Sequence, residues 1–315
     1  MPLYNDATRR LMNDQRLYLT DGGFETSMLF HEGLDLPSFA ACVILDSDAG
    51  RDAMTRYFER YLGLAAAAGT GFVLDTNSWR SGVHWAPALN RSPADMLRLT
   101  GDAVDFAKEL RADWSGRVSP ILINGVVGPS GDGYAPDIEL EPALAQSLHA
   151  PQIDVFAREG VDMVSALTMT HPGEAIGIAR ASVTAGLPVV ISFTVETDGD
   201  LPNGQSLADT IAEVDAATDA APIYYMVNCA HPEHFQEILS GGWTARIGGV
   251  RTNASRLSHA ELDVAESLDE GDPEELGALH VGLARRLPGL RVVGGCCGTD
   301  HRHVHRIAET CLAPA

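Results

Sequence analysis

Short apolar runs rich in β-branched residues recur along the chain, with amphipathic stretches between them. They fall at 18–23, 71–77, 119–128, 162–169, 188–195, 223–229, 246–253 and 291–296. Continuous apolar runs of this length suit strands buried on both faces, as in a parallel sheet. The clearest intervening helix covers 51–68, where Met54, Tyr57, Phe58, Tyr61, Leu62 and Leu64 recur near the helical period. Gly69, Gly160 and Gly186 each stand just before a strand run. A glycine there takes the left-handed turn that closes a helix. About eight strand–helix units predict a (β/α)8 barrel, with a doubly wound open sheet as the alternative. No Pro/Ser-rich linker divides the chain, so residues 1–315 read as a single domain.

Composition narrows the partners. The formal net charge is −21, which repels nucleic-acid phosphates and anionic lipid. Lys108 is the only lysine and falls on a predicted helix surface. No run approaches a membrane span and no signal peptide is legible. The five cysteines are an odd number in a chain that is not small, which suits reduced thiols and a cytoplasmic setting.

In a barrel, chemistry gathers at the C-terminal ends of the strands. Asp21 ends the first run, Thr76-Asn77-Ser78-Trp79 the second, Cys229 the sixth and Cys296-Cys297 the eighth. Three thiolates drawn to one point make a zinc site with an open fourth position, the pattern of a catalytic rather than a structural zinc. Buried cysteines that merely fill space are the plain alternative. Gly294, Gly295 and Gly298 would let the backbone leave strand geometry so that both neighbouring sulfurs face one ion. Cys42 and Cys311 lie away from the strand ends and read as structural. The histidine-rich 301–305 reads as a solvated helix capped by Asp300, and His231 as the first turn of a helix. The glycine-rich 128–137 lacks the Lys-Ser/Thr of a phosphate loop and reads as a flexible loop at the mouth.

These segments resemble the homocysteine S-methyltransferase family, zinc-dependent barrels that methylate a thiol. DGGFET (21–26), TNSW (76–79), Gly128-Pro129, the fifth strand with its loop (192–207), VNCAHPEH (227–234) and GGCCGT (294–299) match the family's motifs in order. The resemblance implies that Cys229, Cys296 and Cys297 hold Zn2+. It implies a small-molecule thiol acceptor, L-homocysteine, and a sulfonium methyl donor, S-methylmethionine or S-adenosylmethionine. Asp21 is then an anchor for the acceptor's amine; Gly22, Asn77, Trp79 and Thr168 line the pocket. Two positions depart from the pattern. Leu167 stands where the family has a glutamate that helps hold the substrate ammonium, and Trp79 replaces a smaller aromatic residue. Glu25 or Glu196 would have to compensate for Leu167. Otherwise the acceptor is another thiol or selenol, or the barrel binds zinc and thiol without catalysis.

Overall fold

A computed structural model describes residues 2–134 and 139–312 of the chain. Each of the eight apolar runs contains a strand. They are β1 (Tyr18–Leu19), β2 (Phe72–Asp75), β3 (Ile121–Val127), β4 (Met163–Met169), β5 (Val189–Phe193), β6 (Pro222–Asn228), β7 (Ile247–Thr252) and β8 (Val292–Gly295). All neighbours are parallel, and β1 pairs with both β2 (Leu19 to Phe72) and β8 (Tyr18 to Val292), which closes the barrel. The open-sheet alternative is thereby excluded.

Helices alternate with the strands and cover the outside. The helix anticipated over 51–68 runs Asp48–Ala68 and begins with Ser47 accepting the Gly50 N–H. Gly69, Gly160 and Gly186 all have positive φ, as their placement before strands required. Lys108 lies on the surface of the helix Pro93–Trp114, paired with Asp105 and Glu159.

The barrel interior is layered. The lower layer is apolar and contains Tyr18, Val73, Leu122, Met163, Val190 and Tyr224. The N-terminal helix Asp6–Asn13 plugs this end: Leu11 is fully buried among those residues, worth roughly 1.5–3 kcal/mol. Above this layer the interior turns polar. Arg251 on β7 bonds Asp21 and Asp75, Asn124 donates to Asp75 (2.7 Å), and Ser165 donates to Asn124 (2.9 Å). That polar layer is the floor of a cavity opening at the C-terminal ends of the strands.

Candidate functional site

Cys229 directly follows β6, and Cys296 and Cys297 directly follow β8. Their three sulfurs lie within 4.8 Å of one another. Cys229 and Cys296 are in direct sulfur contact with Cα atoms 5.4 Å apart, and Cys297 is a free thiol.

The backbone explains how residues from two distant strands converge. Cys229 has φ 55°, a left-handed conformation that costs a non-glycine residue roughly 1–3 kcal/mol. Its backbone is held from both sides. The Cys229 N–H donates to the Arg251 carbonyl (3.1 Å), while the Cys229 carbonyl accepts from Asn253 Nδ2 (3.0 Å) and His259 Nε2 (2.9 Å). After β8 the chain folds into a turn, in which the Thr299 N–H and hydroxyl both donate to the Cys296 carbonyl (3.1 and 2.7 Å). Of the three glycines around the cysteine pair, only Gly298 has the positive φ (79°) the turn demands. Gly294 and Gly295 remain in β8, so the expected departure from strand geometry starts later than the sequence suggested. Their role is space: a Cβ on Gly295 would collide with Thr299 Oγ1.

The cavity facing the sulfurs has a volume of about 590 Å³, within the usual range for a small-molecule site. Asp21, Gly22, Glu25, Asn77, Trp79, Leu167 and Thr168 all line it. Gly22 is a tight point, since a Cβ there would come within 2.6 Å of the Tyr61 hydroxyl. Asp21 is buried and already well bonded: its Oδ1 accepts from Arg251 Nη2 (2.5 Å) and its Oδ2 from the Tyr57 hydroxyl (3.1 Å). Asn77 Oδ1 is buried without a partner among the described residues. Trp79 donates its Nε1–H to the Leu167 carbonyl (3.2 Å), which fixes the indole against the end of β4. Thr168 has φ 63°, unusual for a β-branched residue, and coincides with a register shift between β4 and β5. Asn228 locks this bend: its Oδ1 accepts the Thr168 N–H (2.9 Å) and its Nδ2 donates to the Thr168 hydroxyl (2.8 Å).

Glu196 is not among the residues lining the cavity. Its Oε1 lies 3.0 Å from His259 Nδ1, behind the Cys229 carbonyl that the same ring holds. Of the two acidic residues considered as substitutes for a carboxylate at 167, only Glu25 reaches the cavity. Burial pushes the Glu25 carboxyl up to about 7.

Several contributors were not singled out from sequence. Tyr134, from the glycine-rich segment after β3, stacks on His259 (4.1 Å between centroids, 7° between planes) and directs its hydroxyl to Cys297 Sγ (3.6 Å). Residues 135–137 of that segment lie outside the described residues. Arg251 stands as a cation inside an apolar strand run that also begins with Arg246, a signal of a buried counter-ion. The histidine-rich helix differs from the solvated reading at one position. His303 is fully buried, bonding Asp300 Oδ1 (3.0 Å) and the Glu270 carbonyl (2.7 Å), while His301 and His305 are exposed. Asp300 caps the helix by accepting the Arg302 N–H (2.9 Å), as expected, and His231 caps the short helix Pro232–Phe235.

The donor set fits zinc. Bond lengths of ~2.3 Å in a tetrahedral thiolate site put sulfurs about 3.8 Å apart; the three sulfurs here are gathered within 4.8 Å, and the Cys229–Cys296 contact must open, as reduced thiols, for all three to take that spacing. Burial pushes the Cys297 thiol up to about 11, so a cation among the sulfurs is what would favour the thiolate there.

The family signature described as Homocysteine S-methyltransferase matches residues 18–311. The chain belongs to the homocysteine S-methyltransferase family. Among curated relatives, betaine–homocysteine S-methyltransferase 1 of Rattus norvegicus is 26% identical over 186 residues, covering 52% of this chain and 42% of the relative. S-methylmethionine–homocysteine S-methyltransferase BHMT2 of Mus musculus is 27% identical over 188 residues, covering 52% of this chain and 48% of the relative. The matched region thus spans about half the length of these relatives or less. In fold, the chain is similar to the homocysteine methyltransferase MmuM from Escherichia coli. Its oxidized form superposes with a TM-score of 0.76 at 20% identity, covering 96% of this chain and 99% of that one. Its metallated form gives 0.74 at the same identity and coverage. No described helix of this family member is long and apolar enough to cross a membrane.

Proposed function

We propose that this chain transfers a methyl group from a small sulfonium donor, S-methylmethionine or S-adenosylmethionine, to the sulfur of L-homocysteine, and that it does so with zinc on Cys229, Cys296 and Cys297. The observation that carries this reading is the convergence of three sulfurs at the mouth of a cavity large enough for small substrates, in a chain of this family. Zinc on these sulfurs would supply a positive centre that favours the acceptor's thiolate at neutral pH, where a free thiol of pKa ~8.5 is mostly protonated. Reaction forms a bond between the acceptor sulfur and the methyl carbon. The donor's S–CH3 bond breaks, and its electron pair returns to the donor sulfur, which becomes a neutral thioether.

The surrounding residues serve that displacement. Trp79, Leu167, Val126 and Tyr134 give the cavity wall apolar surface that limits water around the reacting sulfurs. Because the sulfonium charge is lost on transfer, a poorly hydrated wall favours the transition state over the charged donor. Thr168, held by Asn228, borders the Cys229 sulfur (3.9 Å from its Oγ1) and fixes the side of the cluster facing β4. Tyr134 covers Cys297 from the other side. A reducing, cytoplasmic setting belongs to the same proposal, since the three thiols must stay reduced.

The test is direct. Zinc-loaded, reduced protein is incubated with S-methylmethionine carrying a deuterated methyl group and with L-homocysteine, and methionine is analysed by mass spectrometry. Appearance of deuterated methionine supports the reading. Its absence with either sulfonium donor, in protein containing one zinc per chain, would leave the second reading that Leu167 favours: a barrel that binds zinc and thiol without transferring methyl.

A further inference from the structure

The cavity contains more charge than the reaction centre uses: besides the carboxylates of Asp132, Asp263 and Asp269, it has a set in its floor and a second set higher on its wall. In the floor set, Asp21 and Asp75 are both paired to Arg251, whose Nε also donates to the Gly295 carbonyl (3.1 Å) and whose Nη2 reaches the Gly22 carbonyl (3.3 Å). All three nitrogens of that guanidinium are engaged. Leu167 closes the neighbouring wall with an apolar side chain.

The second set lies in the short helix Phe24–Thr26 after β1 and in the loop after β2. Glu25 and Arg80 line the same cavity as the sulfurs. Among the described residues neither forms an ion pair; Arg80 feels the charge of Asp132, which lines the same cavity, and then that of Glu25, while Glu25 feels Asp21 and Arg251 ahead of Arg80. Among the described residues the Glu25 carboxylate has only its own backbone N–H as a hydrogen-bond partner. The Arg80 guanidinium lies over the rings of Trp79 (4.7 Å) and Trp85 (4.2 Å), and its Nη1 donates to the Ser38 carbonyl. Its Nε is buried with no partner among the described residues. Buried donors are nearly always matched, and an unmatched one beside a cavity points to an acceptor on a ligand.

We propose that Glu25 and Arg80 form a head-group site for an α-amino acid: Glu25 receives the ammonium and Arg80 the carboxylate. The site rests on the proposed function, since an amino-acid thiol and an amino-acid sulfonium both carry this zwitterion. It explains how the chain dispenses with a carboxylate at position 167: the counter-charge for the ammonium has moved to the short helix after β1. Arg80 suits a carboxylate because its guanidinium is held over two indoles and so loses little freedom on binding.

The experiment uses cobalt(II)-substituted protein, in which thiol coordination changes the visible spectrum. L-homocysteine is compared with 4-mercaptobutyrate, which lacks the amine, and with 3-aminopropane-1-thiol, which lacks the carboxylate. Glu25→Gln should weaken L-homocysteine and 3-aminopropane-1-thiol about tenfold or more, the usual cost of a charged hydrogen bond, and leave 4-mercaptobutyrate unweakened. Arg80→Met should do the reverse, weakening L-homocysteine and 4-mercaptobutyrate but not 3-aminopropane-1-thiol. The same variants are titrated with S-methylmethionine by calorimetry on the zinc form. Losses confined to S-methylmethionine assign the head-group site to the donor; losses confined to the thiols assign it to the acceptor. Equal weakening of all three thiols, or no change in any amino-acid ligand, overturns the proposal. If no thiol alters the cobalt spectrum of the wild type, the thiol-activation reading itself fails.

Discussion

Replacing Arg251 by Met tests the floor on which the site is built. The side chain is buried and is the shared partner of Asp21 and Asp75. Removing one partner of a buried ion pair typically costs about 3–5 kcal/mol, because a charge is left without compensation. An unfolding entropy of ~2.1 cal/mol/K per residue gives about 0.66 kcal/mol/K for 315 residues, so Tm should fall by about 5–8 °C. The loss should depend on pH. Burial pushes the Asp75 carboxyl up to about 6, against the opposing pull of Arg251. A folded pKa above the unfolded value means that the protonated form favours the fold. This group's stabilisation is therefore complete below about pH 4 and is lost as pH rises through about 6. Without Arg251 that pKa rises further and the loss extends to higher pH. The gap in Tm between wild type and variant should then be largest near pH 8 and clearly smaller at pH 5, where Asp75 is protonated in both. Differential scanning calorimetry at the two pH values measures it. An equal drop at both, or a drop under about 1 °C at pH 8, would refute the claim that Arg251 holds a buried carboxylate pair.

Cys297→Ser should lower zinc per chain at least about tenfold by elemental analysis, because it removes one of three soft ligands, whereas Cys311→Ser on the last helix should retain the metal; equal retention in both would place the metal elsewhere. Asn228→Ala frees the Thr168 N–H and leaves the Ser192 hydroxyl without its 2.6 Å acceptor, so the fold should lose about 1–3 kcal/mol; an unchanged denaturation midpoint would show that Asn228 does not lock the bend. Gly295→Ala drives a Cβ into Thr299 and should cost about 1–3 kcal/mol while reducing zinc occupancy; wild-type stability and zinc content would show that the turn after β8 needs no such clearance.

The barrel was legible because its strands are buried on both faces, so each reads as an apolar run ended by a turn or helix signal. Glycines 69, 160 and 186 were readable for a related reason: a helix that must turn straight into a strand favours the left-handed residue there. The three cysteines were legible as strand-end residues once eight runs were counted. The finer placement was not. Gly294 and Gly295 looked like sources of backbone freedom, yet they serve close approach to Thr20 and Thr299, which depends on neighbours distant in sequence. Glu196 and Glu25 were equivalent candidates on the chain; the turn after β5 sends one to His259, while the short helix after β1 sends the other to the cavity. His303 was read as solvated because alternation on a helix does not tell which face meets Asp300 and Glu270. The Tyr134–His259 stack joins the segment after β3 to the start of the helix His259–Asp263, 125 positions away, and nothing local signals it.

Zinc-edge X-ray absorption on freshly reduced, zinc-supplied protein, with and without L-homocysteine, tests the central claim most directly. It needs no choice of methyl donor and counts sulfurs at the metal. Three sulfurs and one light atom, becoming four sulfurs when L-homocysteine is added, is the predicted result. Absence of zinc from protein whose thiols are reduced, or coordination without Cys229, Cys296 and Cys297, would contradict it.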